Sequence, residues 1–312
     1  MTKSDEATLS EQASASPSSS KGAITSSGPV NSNIPANWWF KPLPDSAIKG
    51  VRIGTALTAA IYFADAWQDV DFWFGPQSPH ASQTLANFLQ LSGLNEAVSG
   101  YASPLFWTES VWIFRGTLLL GFVLATAMAL GLGGRFVRFS LWLVFLAYAN
   151  RLLWLSGLAE TSLSLSLAAL TFAPSRPSDG PRGSAWTGFS LRLVAAQTTV
   201  LIGGTWLAML SQTVWWDGTG AIALAAPTSN RTFDLIGLLT SPIWHELISL
   251  ALVSIPPVGL LLSWRPQPTF RIDWPIISLW TWCGLVALLG SYWIHSVVLA
   301  IGVMAIAHAR RT

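Results

Sequence analysis

Eight apolar stretches follow one another along this chain with few charges inside them, and that succession limits the available folds more than any other feature. They run over Lys49–Trp67, Val111–Leu132, Val137–Leu155, Gly157–Phe172, Leu191–Leu210, Phe233–Trp264, Trp274–Leu289 and Tyr292–Ala307. Each is near the roughly 17–25 residues a helix needs to cross hydrocarbon, the shortest relying on neighbours and flanking aromatics. The sixth stretch is broken at Pro242 and again at Pro256–Pro257. Proline frees backbone groups and bends a helix, so it reads as a short outer segment followed by a kinked span. The sequence therefore predicts an all-α, polytopic integral membrane protein of about eight transmembrane helices.

Composition closes off the alternatives. Only 10% of the 312 residues are charged, 51% are hydrophobic and 18 are Trp, where an ordinary soluble domain is roughly 25% charged. A soluble domain cannot hide that much apolar surface, and a disordered chain of this composition would collapse. With 17 Lys and Arg against 15 Asp and Glu, and no basic stripe, nucleic acid is not an expected partner. Cys283 is the sole cysteine, which leaves no disulfide framework and no cysteine-based zinc or iron–sulfur site within the chain.

Residues 1–36 differ: they hold 10 Ser and few large apolar side chains, and read as a disordered cytoplasmic tail with no signal-peptide core and no cysteine for a lipid anchor. Ordered chain is expected from Trp38, Trp39 and Phe40, an aromatic segment at the interface, so that residues 37–309 form a single transmembrane helical domain. Placing the N-terminus inside puts 14 of the 17 basic residues on the cytoplasmic side, leaving Arg231 in an outer loop and Arg115 and Arg151 near outer helix ends. This agreement with the positive-inside rule predicts that both termini are cytoplasmic, with a bacterial inner membrane as the expected location.

That orientation gathers ionisable groups at the outer helix ends. Asp65, Arg115, Asn150, Arg151, Glu160, His245, Glu246 and His295 would all lie there, and intramembrane charge is costly unless paired or wet. They define either a polar crevice open to the outside or ordinary helix ends neutralised in pairs, such as Arg115 or Arg151 with Glu160. His80, His245, His295 and His308 show no close ligand spacing and no HExxH pattern, so no metal site is expected. Phosphate loops, dinucleotide fingerprints and a serine-hydrolase elbow are likewise missing. Gly131, Gly133 and Gly134 read as a tight cytoplasmic reversal before Arg135. Gly203–Gly204 suits close packing, and Trp215–Trp216–Asp217–Gly218 suits an outer loop dipping toward lipid.

Taken in order, these segments resemble the HTTM family, the membrane domain shared with vitamin K-dependent gamma-glutamyl carboxylases. The resemblance rests on Arg52–Ile53–Gly54 leading to Asp65, on Leu132–Gly133–Gly134–Arg135, and on Asn150–Arg151. It continues through Leu191–Arg192 to Gln197, Trp215 with Asp217–Gly218–Thr219, Glu246 with Pro256 or Pro257, and His295. It implies the family's helical membrane fold over roughly Lys49–Ala307. The lysine that serves these carboxylases as a base falls at about Met209 here, and Lys49 is the last lysine of the chain. Their large extramembrane domain has no counterpart in this sequence.

A general base must be titratable and within reach of its proton, which Met209 is not, so two functional classes remain open. In the first the chain is a non-catalytic membrane subunit or scaffold of a larger complex. Its tryptophans then face lipid, quinone, pigment or neighbouring subunits, and Arg151, Glu160, His245 or His295 supply a polar handle for a hydrophobic ligand. In the second it is a quinone-linked membrane enzyme of the carboxylase-like type, with His245 or His295 as the catalytic candidate facing Asp65 or Glu246. Eight spans and a proline-interrupted segment also allow a transporter, although no inverted repeat is visible.

Overall fold

Glycine, proline and serine punctuate the chain where its helices begin and end. The computed structural model describes residues 36–75, 78, 103–108, 110–152, 157–174, 184–226, 236–239, 241–265, 273–290 and 293–310; the predicted serine-rich tail, His80 and Arg231 lie outside them. Eight of the helices have 14 residues or more: α1 (Asp45–Gln68), α2 (Val111–Leu130), α3 (Gly134–Arg151), α4 (Leu158–Thr171), α5 (Ala185–Leu210), α6 (Pro242–Ser263), α7 (Trp274–Leu289) and α8 (Trp293–Ala309). Short helical turns at Ala36–Trp39, Val70–Phe74, Thr213–Trp216, Gly220–Ala225 and Ile236–Leu239 link or flank them. The one β-type pairing among the described residues is a single bridge between Leu43 and Ser184. The protein is all-α.

Local chemistry explains the boundaries. Gly131, at φ 80°, ends α2 in the left-handed conformation, and the Leu132 amide closes the last turn on the Ala127 carbonyl at 2.8 Å, a reversal that a side chain would strain. Ser184 caps α5 by accepting the Trp186 amide. Glu160 folds back on the Gly157 amide at 2.8 Å to cap α4. Pro242 sits in the first turn of α6, where its missing N–H costs nothing, so the predicted break there is a helix start. The kinked span expected across Pro256–Pro257 is one helix: α6 runs through both prolines.

The reason lies on α7. Pro256 cannot donate to the Leu252 carbonyl four residues back, and the indole N–H of Trp282 donates to that carbonyl instead, at 2.9 Å. Trp282 and Leu252 are both wholly buried, so the polar group that proline orphans is satisfied from a neighbouring helix, as a dry interior requires.

Consecutive long helices pack against each other, and α8 lies inside, against α1, α4, α5 and α7. Gly121 lets α2 close on the Phe63 ring of α1, where an added Cβ would meet the ring. The core continues through Phe63, Phe114, Phe145, Leu141 and Leu163.

Among the described residues, three helices are long and apolar enough to cross a membrane: α2, α5 and α6. The other five fall short of the eight-span expectation for physical reasons. Helix α1 carries Asp45, Lys49, Arg52 and Asp65, and α3 carries Arg135, Arg138 and Arg151. Helices α4, α7 and α8 are apolar but have 14, 16 and 17 residues. Only 28% of the apolar window in each of α2, α5 and α6 is buried within the protein; the remainder is half-buried or exposed.

Where α1, α5 and α7 begin, arginine side chains hold the structure together. Arg135 and Arg138 of α3 donate to the carbonyls of Leu170, Phe172, Ala173 and Pro174, capping the C-terminal end of α4. Arg192 is fully buried, donates to the Trp39 and Lys41 carbonyls, and lies over the Trp38 ring. It fastens the aromatic segment before α1 to α5, and Phe40 stacks on Phe189 beside it at 5.2 Å. Gly188 permits this approach, because a Cβ there would strike the Lys41 carbonyl.

Candidate functional site

At the opposite end of the helices, where α1 and α3 finish and α2, α4 and α8 start, the described ionisable residues do not form one crevice. They form three separate arrangements, with His245 and Glu246 in a fourth place.

The first is built on α1 and α4. Tyr62 is buried and donates its hydroxyl to Glu160 at 3.3 Å, while the other carboxylate oxygen takes the Gly157 amide. His295, on α8 and 6% exposed, approaches Leu158 and Glu160, although neither ring nitrogen reaches full hydrogen-bond geometry. On its outer side Glu160 lines a pocket of about 190 Å³ between α3 and α4 with Leu146, Ala149, Asn150, Thr161, Ser164 and Leu165. A carboxylate held this way offers its spare acceptor positions to a small ligand carrying an O–H or N–H.

The second arrangement is a surface ion pair. Arg115 meets Asp71 at 2.6 Å and is flanked by the Trp67 and Trp112 rings. The third surrounds Arg151, which is 1% exposed and has the rings of Phe74, Phe106 and Phe114 within 6 Å of its guanidinium. Aromatic faces attract a desolvated cation, which lets arginine sit at the end of α3 without entering the pocket.

The expected pairing of Arg115 or Arg151 with Glu160 is therefore replaced by Arg115 with Asp71, Arg151 among phenylalanines, and Glu160 with Tyr62. The carboxylate whose charge reaches His295 is Glu160, not Asp65 or Glu246. Asp65 lies exposed on the outer part of α1. His245 and Glu246 stand apart on α6, which packs on α5 and α7. His245 meets the Leu239 carbonyl at 3.2 Å, and exposed Glu246 lies over the left-handed turn at Gly218. That turn is anchored by Ser249, which donates to the Gly218 carbonyl and accepts the Ala221 amide. Met209, at the position matched to the carboxylase lysine, is buried in α5.

Sequence reading missed Tyr62, Asp71 and the phenylalanine cage. No local signal in the sequence marked Tyr62, Phe74, Phe106 or Phe114. Among the described residues no three His, Cys, Asp or Glu side chains converge where a metal ion could bind. A second, apolar groove of about 260 Å³ runs between α1 and α2, lined by Phe63, Ala64, Trp67, Leu118, Leu119 and Phe122.

Comparison with protein-family models, curated proteins and solved structures finds no match to this chain.

Proposed function

We propose that this chain is a non-catalytic integral membrane subunit or scaffold of a larger membrane protein complex. In this reading it crosses a bacterial inner membrane eight times on an HTTM-like plan, with both termini in the cytoplasm. The observation that carries the reading is the outward placement of large apolar side chains. Trp112, Leu130, Phe136, Val200 and Leu261 are between 69% and 78% exposed, and Ile243, Leu250 and Trp274 are close behind. Water opposes such a surface; hydrocarbon and the helices of other subunits cover it.

Two further features support it. The charged groups that sequence alone offers for chemistry are used in holding helix ends: Arg115 with Asp71, Arg151 among rings, Glu160 at the α4 cap. Described basic residues also sort by end. Lys41, Lys49, Arg52, Arg135, Arg138, Arg192, Arg265 and Arg310 lie where α1 begins, and Arg115 and Arg151 at the other end, the asymmetry of the positive-inside rule. Helix α4, at about 1.5 Å per residue, spans about 21 Å against roughly 30 Å of hydrocarbon. It packs on α3, α5 and α8, so protein rather than lipid flanks it. The α1–α2 groove gives a place for a lipid chain, quinone or pigment ring.

The Tyr62–Glu160–His295 cluster beside the α3–α4 pocket favours the second reading, a quinone-linked membrane enzyme. The two separate on one experiment. The tagged chain is extracted from native membranes in mild detergent, passed over affinity and sizing columns, and quantified by mass spectrometry. Stoichiometric integral membrane partners at a fixed complex mass are the expected result. A lone chain that turns over a quinone, and loses turnover in His295→Ala but not in His245→Ala, overturns the subunit reading.

A further inference from the structure

Where α2 turns into α3, Arg52, Arg135 and Arg138 gather, and among the described residues no carboxylate pairs with Arg52 or Arg138. The guanidinium groups of Arg52 and Arg135 stand close enough to Arg138 to repel it. Arg138, 5% exposed, directs its donors to the carbonyls of Gly134, Leu170 and Pro174. Arg52 reaches across from α1 over Gly131, its Nη2 3.2 Å from where a Cβ would stand. The Arg52 Nε is buried and has no acceptor. Among the described residues, the two carboxylates at this end are engaged elsewhere, Asp45 with Thr187 and Asp273 with Arg310.

Arg52 and Arg138 share a narrow notch with Met128, Gly131, Leu132 and Gly134. Its interior of about 10 Å³ takes a single oxygen atom and leaves a larger group at the mouth. The surroundings are apolar and turned outward, with Leu130, Leu132 and Phe136 being 70%, 60% and 78% exposed. A free anion gains nothing from such a rim, whereas a lipid lays its chains along it.

We propose that Arg52 and Arg138 hold the phosphate of an anionic phospholipid at this notch, its acyl chains lying along Leu130, Leu132 and Phe136. A zwitterionic headgroup fits less well, because the guanidinium groups of Arg52 and Arg138 repel its ammonium. The site rests on the membrane-embedded reading above and falls in the leaflet where anionic lipid meets basic residues.

The test uses the full chain in nanodiscs of phosphatidylcholine alone and of phosphatidylcholine mixed equally with phosphatidylglycerol, with retained lipid counted by native mass spectrometry. The wild-type protein keeps a phosphatidylglycerol in preference to phosphatidylcholine. Arg52→Gln lowers that preference about fivefold, the factor expected for one basic residue at an anionic surface. Arg52→Lys retains most of it, and Arg115→Gln, at the opposite end, leaves it unchanged. Arg138 is left intact because it also caps α4. Unchanged preference in Arg52→Gln overturns the site, and displacement of the lipid by inorganic phosphate reassigns it to a free anion and overturns the proposal. A chain that enters both kinds of disc but shows no preference removes this site alone; one that enters neither removes the membrane reading with it.

Discussion

Replacing Trp282 with phenylalanine tests how α6 tolerates Pro256. The substitution removes the indole N–H that meets the Leu252 carbonyl at 2.9 Å, between two residues with no solvent exposure. A buried acceptor left without a donor costs about 1–3 kcal/mol, and the smaller ring leaves a cavity worth about 1 kcal/mol more. Pro256→Ala separates the two effects, since alanine supplies the backbone N–H that proline lacks and gives the carbonyl a partner within its own helix. In that background Trp282→Phe should cost only the cavity contribution. Interhelical hydrogen bonds in membranes give coupling energies of about 0.6 kcal/mol on average and about 1.7 at most, so a coupling of about 1 kcal/mol is expected here. All four proteins of the cycle can be compared by reversible unfolding in mixed micelles with increasing dodecyl sulfate. If Trp282→Phe costs the same with and without Pro256, the carbonyl is not what Trp282 satisfies, and the account of the unbroken helix is wrong.

Four other outcomes follow from the same physical reasoning. Arg138→Gln, which strips the carbonyl end of α4 of its donors, should destabilise by about 2–3 kcal/mol, whereas Arg115→Gln, in a pair whose Asp71 is 68% exposed, should change stability by no more than about 1 kcal/mol; thermal melts of the detergent-solubilised variants rank them. Gly131→Ala, forced to φ 80°, should lose about 1 kcal/mol, measured in the same way. Gly188→Ala should dislodge the segment from Trp38 to Leu43 from α5, read as faster proteolysis there and lower stability by about 1–3 kcal/mol. In a Cys283→Ala background, an impermeant maleimide should label Thr213→Cys in intact cells and Ser184→Cys only after permeabilisation; the reverse pattern inverts the proposed orientation.

Much of the fold is local and so was visible in the residues themselves. The low charge and the repeated apolar stretches require helices, because only a helix satisfies its own backbone in a dry environment. Stops and starts are equally local: Gly131 can take a positive φ, Pro242 suits a first turn, and Trp274–Leu289 has the boundaries its apolar stretch suggested. Other ends shifted because caps lie outside the apolar stretch. Helix α5 begins at Ala185 rather than Leu191 since Ser184 caps it and Gly188 meets the preceding segment.

Which polar groups meet was a different matter. Helices apolar on nearly every face carry little periodic signal of which face turns inward, so the sequence places Glu160, His295, Arg151 and His245 at one end without saying which of them are neighbours. The pairing of Tyr62 with Glu160 spans 98 positions, and Arg115 finds Asp71 across 44. The same indeterminacy hides the role of Trp282, whose partner is a carbonyl that Pro256 orphaned on another helix. Helix type and the helix ends at Gly131 and Pro242 depend on near neighbours in the chain, and the sequence alone determined them. The rotation of each helix, the interior position of α8 and the division of the polar residues depend on packing between distant segments, and only the tertiary structure decided those.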